Sequence, residues 1–262
     1  MTKEKDIAIK AAHSAGRLIL QKIDDKKIDH KGTFNNLVTD ADKAAEAIIL
    51  ELIKKEFPAD EFLAEESGES GKKGTNRRWL VDPIDGTTNF AHNYPFFCVS
   101  IALEEAGKLK MGVVFNPVAD ELFWAEEGKG AWLNDKPIKV SKVDKLEGSL
   151  LSTGFSVSLV ANMERFQRLT SITHGVRRDG SAALDLCFVA CGRTEGFWEL
   201  KIAAWDVGAG VLLIREAGGQ VTSLDGNPLD LSANRFNIVA SNGLIHKQLI
   251  NNLAELQTAE LK

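Results

Sequence analysis

The residues with the clearest chemical potential are two aspartates three positions apart, Asp82 and Asp85, within the sequence WLVDPIDGTTNF at residues 79–90. The apolar residues before Asp82 predict a strand that ends there, because the proline that follows has no N–H to donate to a sheet. Gly86 and Thr87 then predict a turn into a helix whose first N–H groups can bind a phosphate oxygen. Carboxylates beside such amides indicate a Mg²⁺ ion that bridges protein and phosphate.

Further acids lie in similar settings. Glu65 follows a second apolar stretch, and Asp206 heads an apolar segment with helical character. Taken alone, each acid has a plain structural interpretation as a turn or helix cap. The chain has no histidine or cysteine cluster suited to zinc and no P-loop, dinucleotide, metalloprotease or serine-hydrolase motif. Together these features predict a metal site built from oxygen ligands.

Composition excludes several classes of function. The 262 residues include 32 basic and 37 acidic ones, a net charge of −5, so no general basic field would attract nucleic acid or an anionic membrane. No apolar run approaches the roughly 20 residues that span a bilayer. The three cysteines do not form a disulfide framework, and Cys187 and Cys191 are spaced as on one face of a buried helix. These features and the charged N-terminus favour a cytoplasmic protein.

The elements that must position these residues form two lobes, residues 1–142 and 143–262. Helical spacing predicts helices at 5–23 and 40–57, the second opening with a capping box from Thr39 to Asp42. An antiparallel sheet should follow, with a mobile surface loop at 66–76. Its strands are predicted at 61–65, 78–82, 96–104, 109–116, 120–125 and near 130–133.

The second lobe shows alternating strand and helix patterns, which indicate an α/β arrangement packed against the first lobe. Small residues at 208–210 should let one of its helices approach a neighbour closely. Strands are predicted at 149–153, 195–199, 220–223 and 236–240, and helices at 160–173, 181–191, 205–217 and 243–256.

At these motifs the chain resembles the inositol monophosphatase family of Mg²⁺-dependent, lithium-sensitive phosphatases. Residues 82–90, DPIDGTTNF, match its first signature. Residues 205–210, WDVGAG, with EAGG at 216–219, match its second, and EES at 65–67 matches an upstream acidic pair. The resemblance implies an α/β (α+β) layered sandwich in the order α-β-α-β-α and a homodimer.

The resemblance also assigns roles to individual residues. It implies two or three Mg²⁺ ions, with Li⁺ as an inhibitor, and the metal ligands Glu65, Asp82, Asp85, Asp206 and the carbonyl of Ile84. Thr87 with Asp42 would orient the attacking water, and Glu65 would share in catalysis. The implied substrate-binding residues are Gly86, Thr87, Asp85, Asp206, Ala182, Glu199 and Arg177, with Lys31 as a basic residue near the metals.

The expected reaction is in-line attack on a phosphate monoester by a water bound to Mg²⁺. The sequence at Thr88, Asn89 and Phe90 favours an inositol phosphate over a nucleotide or histidinol phosphate. Fructose 1,6-bisphosphate stays open as an alternative, because Arg177, Arg178 or Lys201 could receive a second phosphate. Lys201 replaces a small or apolar residue of some members. A further alternative is an added protein-binding role in transcription, which one bacterial member of the family has.

Overall fold

The computed structural model describes residues 2–30, 37–154, 159–233 and 235–254, apart from the side chains of 159–161. Lys31 therefore lies outside the described residues.

Two helices open the chain, as the spacing predicted. Helix α1 spans Lys3–Lys22 and helix α2 spans Asp40–Glu56. The predicted capping box is present, because Thr39 Oγ1 accepts from the N–H of Asp42 while Asp42 Oδ2 accepts from the N–H of Thr39. Between the helices, the short antiparallel strands β1 (Ile28–His30) and β2 (Leu37–Thr39) were not predicted.

Within the described residues the next strands form an eight-stranded sheet in the order β10-β9-β8-β7-β6-β5-β3-β4. The prediction of a purely antiparallel sheet was wrong, since β3 runs parallel to β5. The predicted loop at 66–76 was wrong in part, because β4 lies inside it and pairs with β3. The elements are β3 (Glu61–Ala64), β4 (Gly68–Gly71), β5 (Arg77–Asp85), α3 (Thr87–Ala91), β6 (Cys98–Glu105), β7 (Lys108–Asn116), β8 (Glu121–Glu126), β9 (Ala131–Leu133) and β10 (Lys136–Ile138).

A second sheet has the order β12-β11-β13-β15-β14 across the described residues. Its predicted helices and strands are confirmed, and only the short edge strand β12 was missed. After a 3₁₀ turn at Leu146–Gly148 come β11 (Leu150–Thr153), α4 (Leu159–Ile172), β12 (Gly175–Arg177), α5 (Ala182–Ala190), β13 (Gly196–Ile202), α6 (Ala204–Glu216), β14 (Gln220–Thr222), β15 (Phe236–Ser241) and α7 (His246–Ala254).

The helices and sheets stack in five layers, because successive side chains of a central strand point to opposite faces and pack against different helices. Trp79 of β5 packs towards α1 and α2, whereas the next residue, Leu80, packs towards α5 and α6. In β13, Phe197 faces the same two central helices and Trp198 faces α4 and α7. This period of two is the pleat of a strand buried on both faces. The layers therefore follow the predicted order α-β-α-β-α; the lobe boundary at 142 and 143 stays a prediction.

The central helix α6 lies unusually close to its neighbours, as its small residues predicted. A Cβ on Gly112 of β7 would lie 2.8 Å from the backbone of Ala209, and a Cβ on Gly210 would lie 2.5 Å from Leu186. At both points glycine leaves room for a neighbouring element that a side chain would otherwise push away. The approach anchors the first turn of α6, including Asp206, against the first sheet.

The three thiols are free, as predicted. Cys187 is buried in α5, and Cys191 directly follows the helix. In the part of the chain that the structure describes, no helix is both long enough and apolar enough to cross a bilayer.

Candidate active site

One pocket between the two sheets brings together most of the residues singled out from the sequence. Its lining combines the end of β5, the start of α3, the first turns of α5 and α6, and β13. The predicted residues that line it are Glu65, Asp82, Ile84, Asp85, Gly86, Thr87, Ala182, Glu199 and Asp206.

The junction of β5 and α3 carries the first signature. The prediction that the strand ends at Asp82 was wrong: β5 continues to Asp85, with an irregular register between the two aspartates. Pro83 accounts for the irregularity, because it cannot donate to β6. Asp82 Oδ1 accepts from the N–H of Ile84 at 3.0 Å. Gly86, with φ of +98°, turns the chain into α3, where a Cβ would lie 2.9 Å from the carbonyl oxygen of Phe96.

A hydroxyl joins this junction to helix α2. Thr87 Oγ1 lies 3.0 Å from Asp42 Oδ1 and 3.0 Å from the carbonyl oxygen of Ile84. Its single proton can be donated to only one of them at a time. Asp42 is fully buried and does not line the pocket, so it acts on the pocket through Thr87. Asp42 thus has both the capping role and the position next to Thr87 that the sequence analysis assigned to it.

Asp85 is fixed by the first turn of α5. Its Oδ2 accepts from the Ser181 hydroxyl and from the Ala183 N–H, each at 2.6 Å. Ser181 also caps α5 by accepting from the N–H of Leu184. This contact joins the two halves of the chain and leaves Asp85 partly open to the pocket.

Asp206 and Glu65 complete the acidic cluster from two other elements. Asp206 lies in the first turn of α6, where its Oδ2 accepts from the N–H of Ala203 at 3.0 Å. Glu65 follows β3 directly, and its N–H donates to the carbonyl oxygen of Val81 in β5. The parallel pairing of β3 with β5 therefore places Glu65 beside Asp82.

Burial and mutual repulsion act on the charges of this cluster. Desolvation, followed by neighbouring carboxylates, raises the pKa of Asp82 and of Asp206 well above the ordinary value. Desolvation also raises the pKa of Asp85 to about 6, although the Ser181 hydroxyl and the Ala183 N–H oppose it. The strongest influences on these three pKa values are burial, other acids and hydrogen bonds rather than cationic side chains. A cation in the pocket would relieve this cost.

The donor set fits a hard divalent cation. Carboxylates and the carbonyl of Ile84 line the pocket, and oxygen is the ligand that Mg²⁺ prefers. Among the described residues, no three acidic, imidazole or thiol groups form a closed set around one ion. Mg²⁺ does not need such a set, because it usually takes one or two carboxylates and completes its coordination with water and phosphate oxygens.

The pocket also contains residues that the sequence analysis placed differently or missed. Arg177 ends the edge strand β12 and is exposed, whereas its neighbour Arg178 lines the pocket. Asp185, Ser181 and Gly154 line it as well and were not predicted. The acid in the first turn of α5 was a possible signal for Asp185, but which side chains face a pocket depends on tertiary packing.

The layered α/β fold and its acidic pocket define a phosphatase, and comparison with known proteins agrees. The model of the inositol monophosphatase family matches residues 1–258. The chain belongs to the inositol monophosphatase family.

Individual relatives match nearly the whole chain. The inositol-1-monophosphatase of Synechocystis sp. is 48% identical over 256 residues, covering 95% of this chain and 88% of the relative. The Nus factor SuhB of Pasteurella multocida is 39% identical and covers 98% of each chain. The solved inositol monophosphatase of Anabaena (Nostoc) sp. is 46% identical with a TM-score of 0.86, covering 96% of this chain and 95% of that one.

Proposed function

We propose that this enzyme is a Mg²⁺-dependent phosphate monoester hydrolase whose preferred substrate is an inositol monophosphate. The observation that carries the proposal is the convergence of four carboxylates, from β3, β5 and α6, beside the Thr87–Asp42 pair. The relative from Synechocystis, named for inositol-1-phosphate hydrolysis, supports the choice of substrate.

In this proposal Glu65, Asp82, Asp85, Asp206 and the Ile84 carbonyl hold Mg²⁺. When bound, Mg²⁺ supplies a Lewis acid that lowers the pKa of the attacking water and offsets the charge of the leaving alkoxide. No side chain then needs to form a covalent intermediate.

The remaining groups position the reactants. The Thr87 hydroxyl, held between Asp42 and the Ile84 carbonyl, orients the attacking water. The N–H groups of Gly86 and Thr87 bind the phosphate. Ala182 and Glu199, which also line the pocket, contact the hydroxyls of the leaving alcohol.

The test is the substitution Asp85→Asn, assayed as phosphate release from inositol 1-phosphate over a range of Mg²⁺ concentrations. Asn keeps the size of the side chain and an acceptor for Ser181 and the Ala183 N–H but loses the charge. We expect the rate to fall by several orders of magnitude while the protein stays folded. Asp24→Asn, which changes an exposed carboxylate after α1, is the control. Near-normal turnover by Asp85→Asn would overturn the assignment.

Fructose 1,6-bisphosphate is a second candidate substrate, because the Arg178 side chain lines the pocket and could receive a second phosphate. A panel of inositol 1-phosphate, fructose 1,6-bisphosphate and adenosine 3′,5′-bisphosphate at fixed Mg²⁺ decides between them. If Arg178 receives a second phosphate, Arg178→Ala will lower kcat/KM for the fructose ester more than for the inositol ester.

We also propose that the enzyme is a cytoplasmic homodimer. An added protein-binding role in transcription is suggested by the similarity to the SuhB relative. Light scattering measures the oligomeric state. Pull-down from cell extract with Asp85→Asn separates a binding role from catalysis, since an independent role requires partners that survive the loss of activity.

A further inference from the structure

The pocket that holds the acidic cluster is also lined by Glu199 of β13. The Glu199 carboxylate presses against the backbone at Gly154, where a Cβ would lie 2.1 Å from Glu199 Oε2. Glycine at 154 is therefore required for Glu199 to adopt this position. The first turn of α5, which holds Asp85 through Ser181 and the Ala183 N–H, brings Asp185 to the same pocket.

Asp185 does not cap the helix in which it lies. It is only 2% exposed, and it lies one turn into α5. The capping of that helix is done by Ser181, which accepts from the N–H of Leu184. The N–H of Ala183 is taken up by Asp85. The Asp185 carboxyl is therefore not needed to satisfy the start of the helix.

Keeping this carboxyl buried is unfavourable for folding. Desolvation raises the pKa of Asp185 well above the ordinary value, and Asp179, Asp85 and Glu199 raise it further, while the Ser152 hydroxyl beside it lowers it. An acid buried among other acids costs free energy that an apolar residue of the same shape would not. A protonated carboxyl has one advantage over such a residue, which is that it can both donate and accept a hydrogen bond.

We infer that Asp185 is a specificity-determining residue that binds a hydroxyl of the alcohol portion of the substrate. The inference rests on the proposed function. Asp185 and Glu199 line the same pocket as the proposed metal ligands, and neither belongs to the proposed ligand set. Two further buried acids in that pocket would select a polyol with several hydroxyls over an alcohol that has none. The phosphate and the reacting water do not involve Asp185.

The experiment compares inositol 1-phosphate with phenyl phosphate, which has the same phosphate but no hydroxyl on its alcohol portion. Asp185→Leu keeps the branched shape and removes the hydrogen bond. We expect kcat/KM for inositol 1-phosphate to fall roughly tenfold or more, the equivalent of one lost hydrogen bond to a buried group. For phenyl phosphate kcat/KM should stay within about twofold of its original value, since no hydroxyl is lost.

Two further variants make the result specific. Asp185→Asn, which also donates and accepts, should restore most of the preference for the inositol ester. Asp179→Leu, which removes a neighbouring acid that does not line the pocket, should leave the preference unchanged. Asp185→Ala repeats the test if the leucine variant does not fold.

The outcomes separate the inference from the proposed function. An unchanged preference in Asp185→Leu, or an equal loss on both esters, overturns the role of Asp185. Failure of both Asp185→Leu and Asp185→Ala to fold shows a structural role and also overturns it. If the original enzyme hydrolyses neither ester, the proposed function itself fails.

Discussion

At the scale of single residues, Thr87 joins parts of the protein that lie far apart in sequence. Its hydroxyl lies between Asp42 at the start of α2 and the Ile84 carbonyl in β5. The carboxylate of Asp42 is itself fixed by the N–H and hydroxyl of Thr39, at 2.7 and 2.5 Å. Because these bonds hold the Asp42 carboxylate, they also fix one of the two acceptors between which the Thr87 hydroxyl lies.

This arrangement leads to a prediction for Thr87. Thr87→Val keeps the shape and removes the hydroxyl, so we expect kcat to fall by roughly 10²- to 10⁴-fold, the usual contribution of a positioned proton-transfer group. KM should change little, because the proposed phosphate contacts at this position are backbone N–H groups. Thr87→Ser keeps the hydroxyl and should retain most of the activity. Steady-state kinetics at saturating Mg²⁺ measures both, and equal rates for the valine and serine variants would contradict the role.

At the scale of elements, the contact between β7 and α6 determines where Asp206 lies. Gly112→Ala would place a methyl group 2.8 Å from the backbone of Ala209, which no side-chain rotation relieves. We expect a loss of roughly 1–3 kcal/mol in the free energy of unfolding, as is usual for overpacking. Mg²⁺ affinity should also weaken as α6 shifts.

Urea denaturation and a Mg²⁺ titration measure these two effects. Gly148→Ala is the matched control, because its methyl group would meet only Val143, at an ordinary 3.5 Å. Equal stability of the two variants would show that α6 can move away from β7 without cost.

Elements with a strong periodic signal could be predicted from the sequence, whereas several short strands were missed. Helix α2 has both a capping box and a continuous apolar face, so its existence and its start were correct. The missed strands β1, β2, β4, β10 and β12 have only three or four residues each and few apolar residues. Strands β3, β9, β11 and β14 are as short and were predicted. The positions of the missed strands depend on the neighbour with which they pair. The parallel alignment of β3 with β5 has no local signal either.

The candidate site divides in the same way. Residues in the two signatures, such as Asp85 and Asp206, could be found from the resemblance because the motifs are local. Asp185 was not placed in the pocket, and the sequence could not separate Arg178 from Arg177, because neighbouring positions in a sequence can face opposite directions. Arg177 illustrates this point, since it is exposed at the edge of the second sheet while Arg178 lines the pocket.

At the scale of the whole molecule, the acidic cluster connects stability to pH and to divalent cations. The pKa of Asp85 is raised to about 6 in the folded protein. Between its ordinary value near 3.8 and about 6 the folded state holds more protons than the unfolded state, so this group makes stability fall as pH rises. Buried His246, whose pKa is lowered to about 4, acts in the opposite direction below about 6.5.

A comparison with and without Mg²⁺ at each pH removes the contribution of His246, which lies in α7. We expect Mg²⁺ to raise Tm more at pH 7.5 than at pH 5, because protons compete with the ion for the carboxylates at low pH. Asp82→Asn should raise Tm in EDTA, since it removes an acid whose burial among other carboxylates opposes folding, and should reduce the gain from Mg²⁺. Scanning calorimetry measures Tm with Mg²⁺ and with EDTA at both pH values. An equal Mg²⁺ effect at both pH values would contradict the link.

The central position of α5 and α6 also affects how the protein is made. Both helices cover the face of the first sheet that carries Leu80, Ala102 and Phe123, yet they follow all eight described strands of that sheet in the chain. A ribosome therefore releases an apolar sheet face before it has synthesised the helices that cover it. Until residue 216 has emerged, this uncovered apolar surface makes the growing chain prone to aggregation.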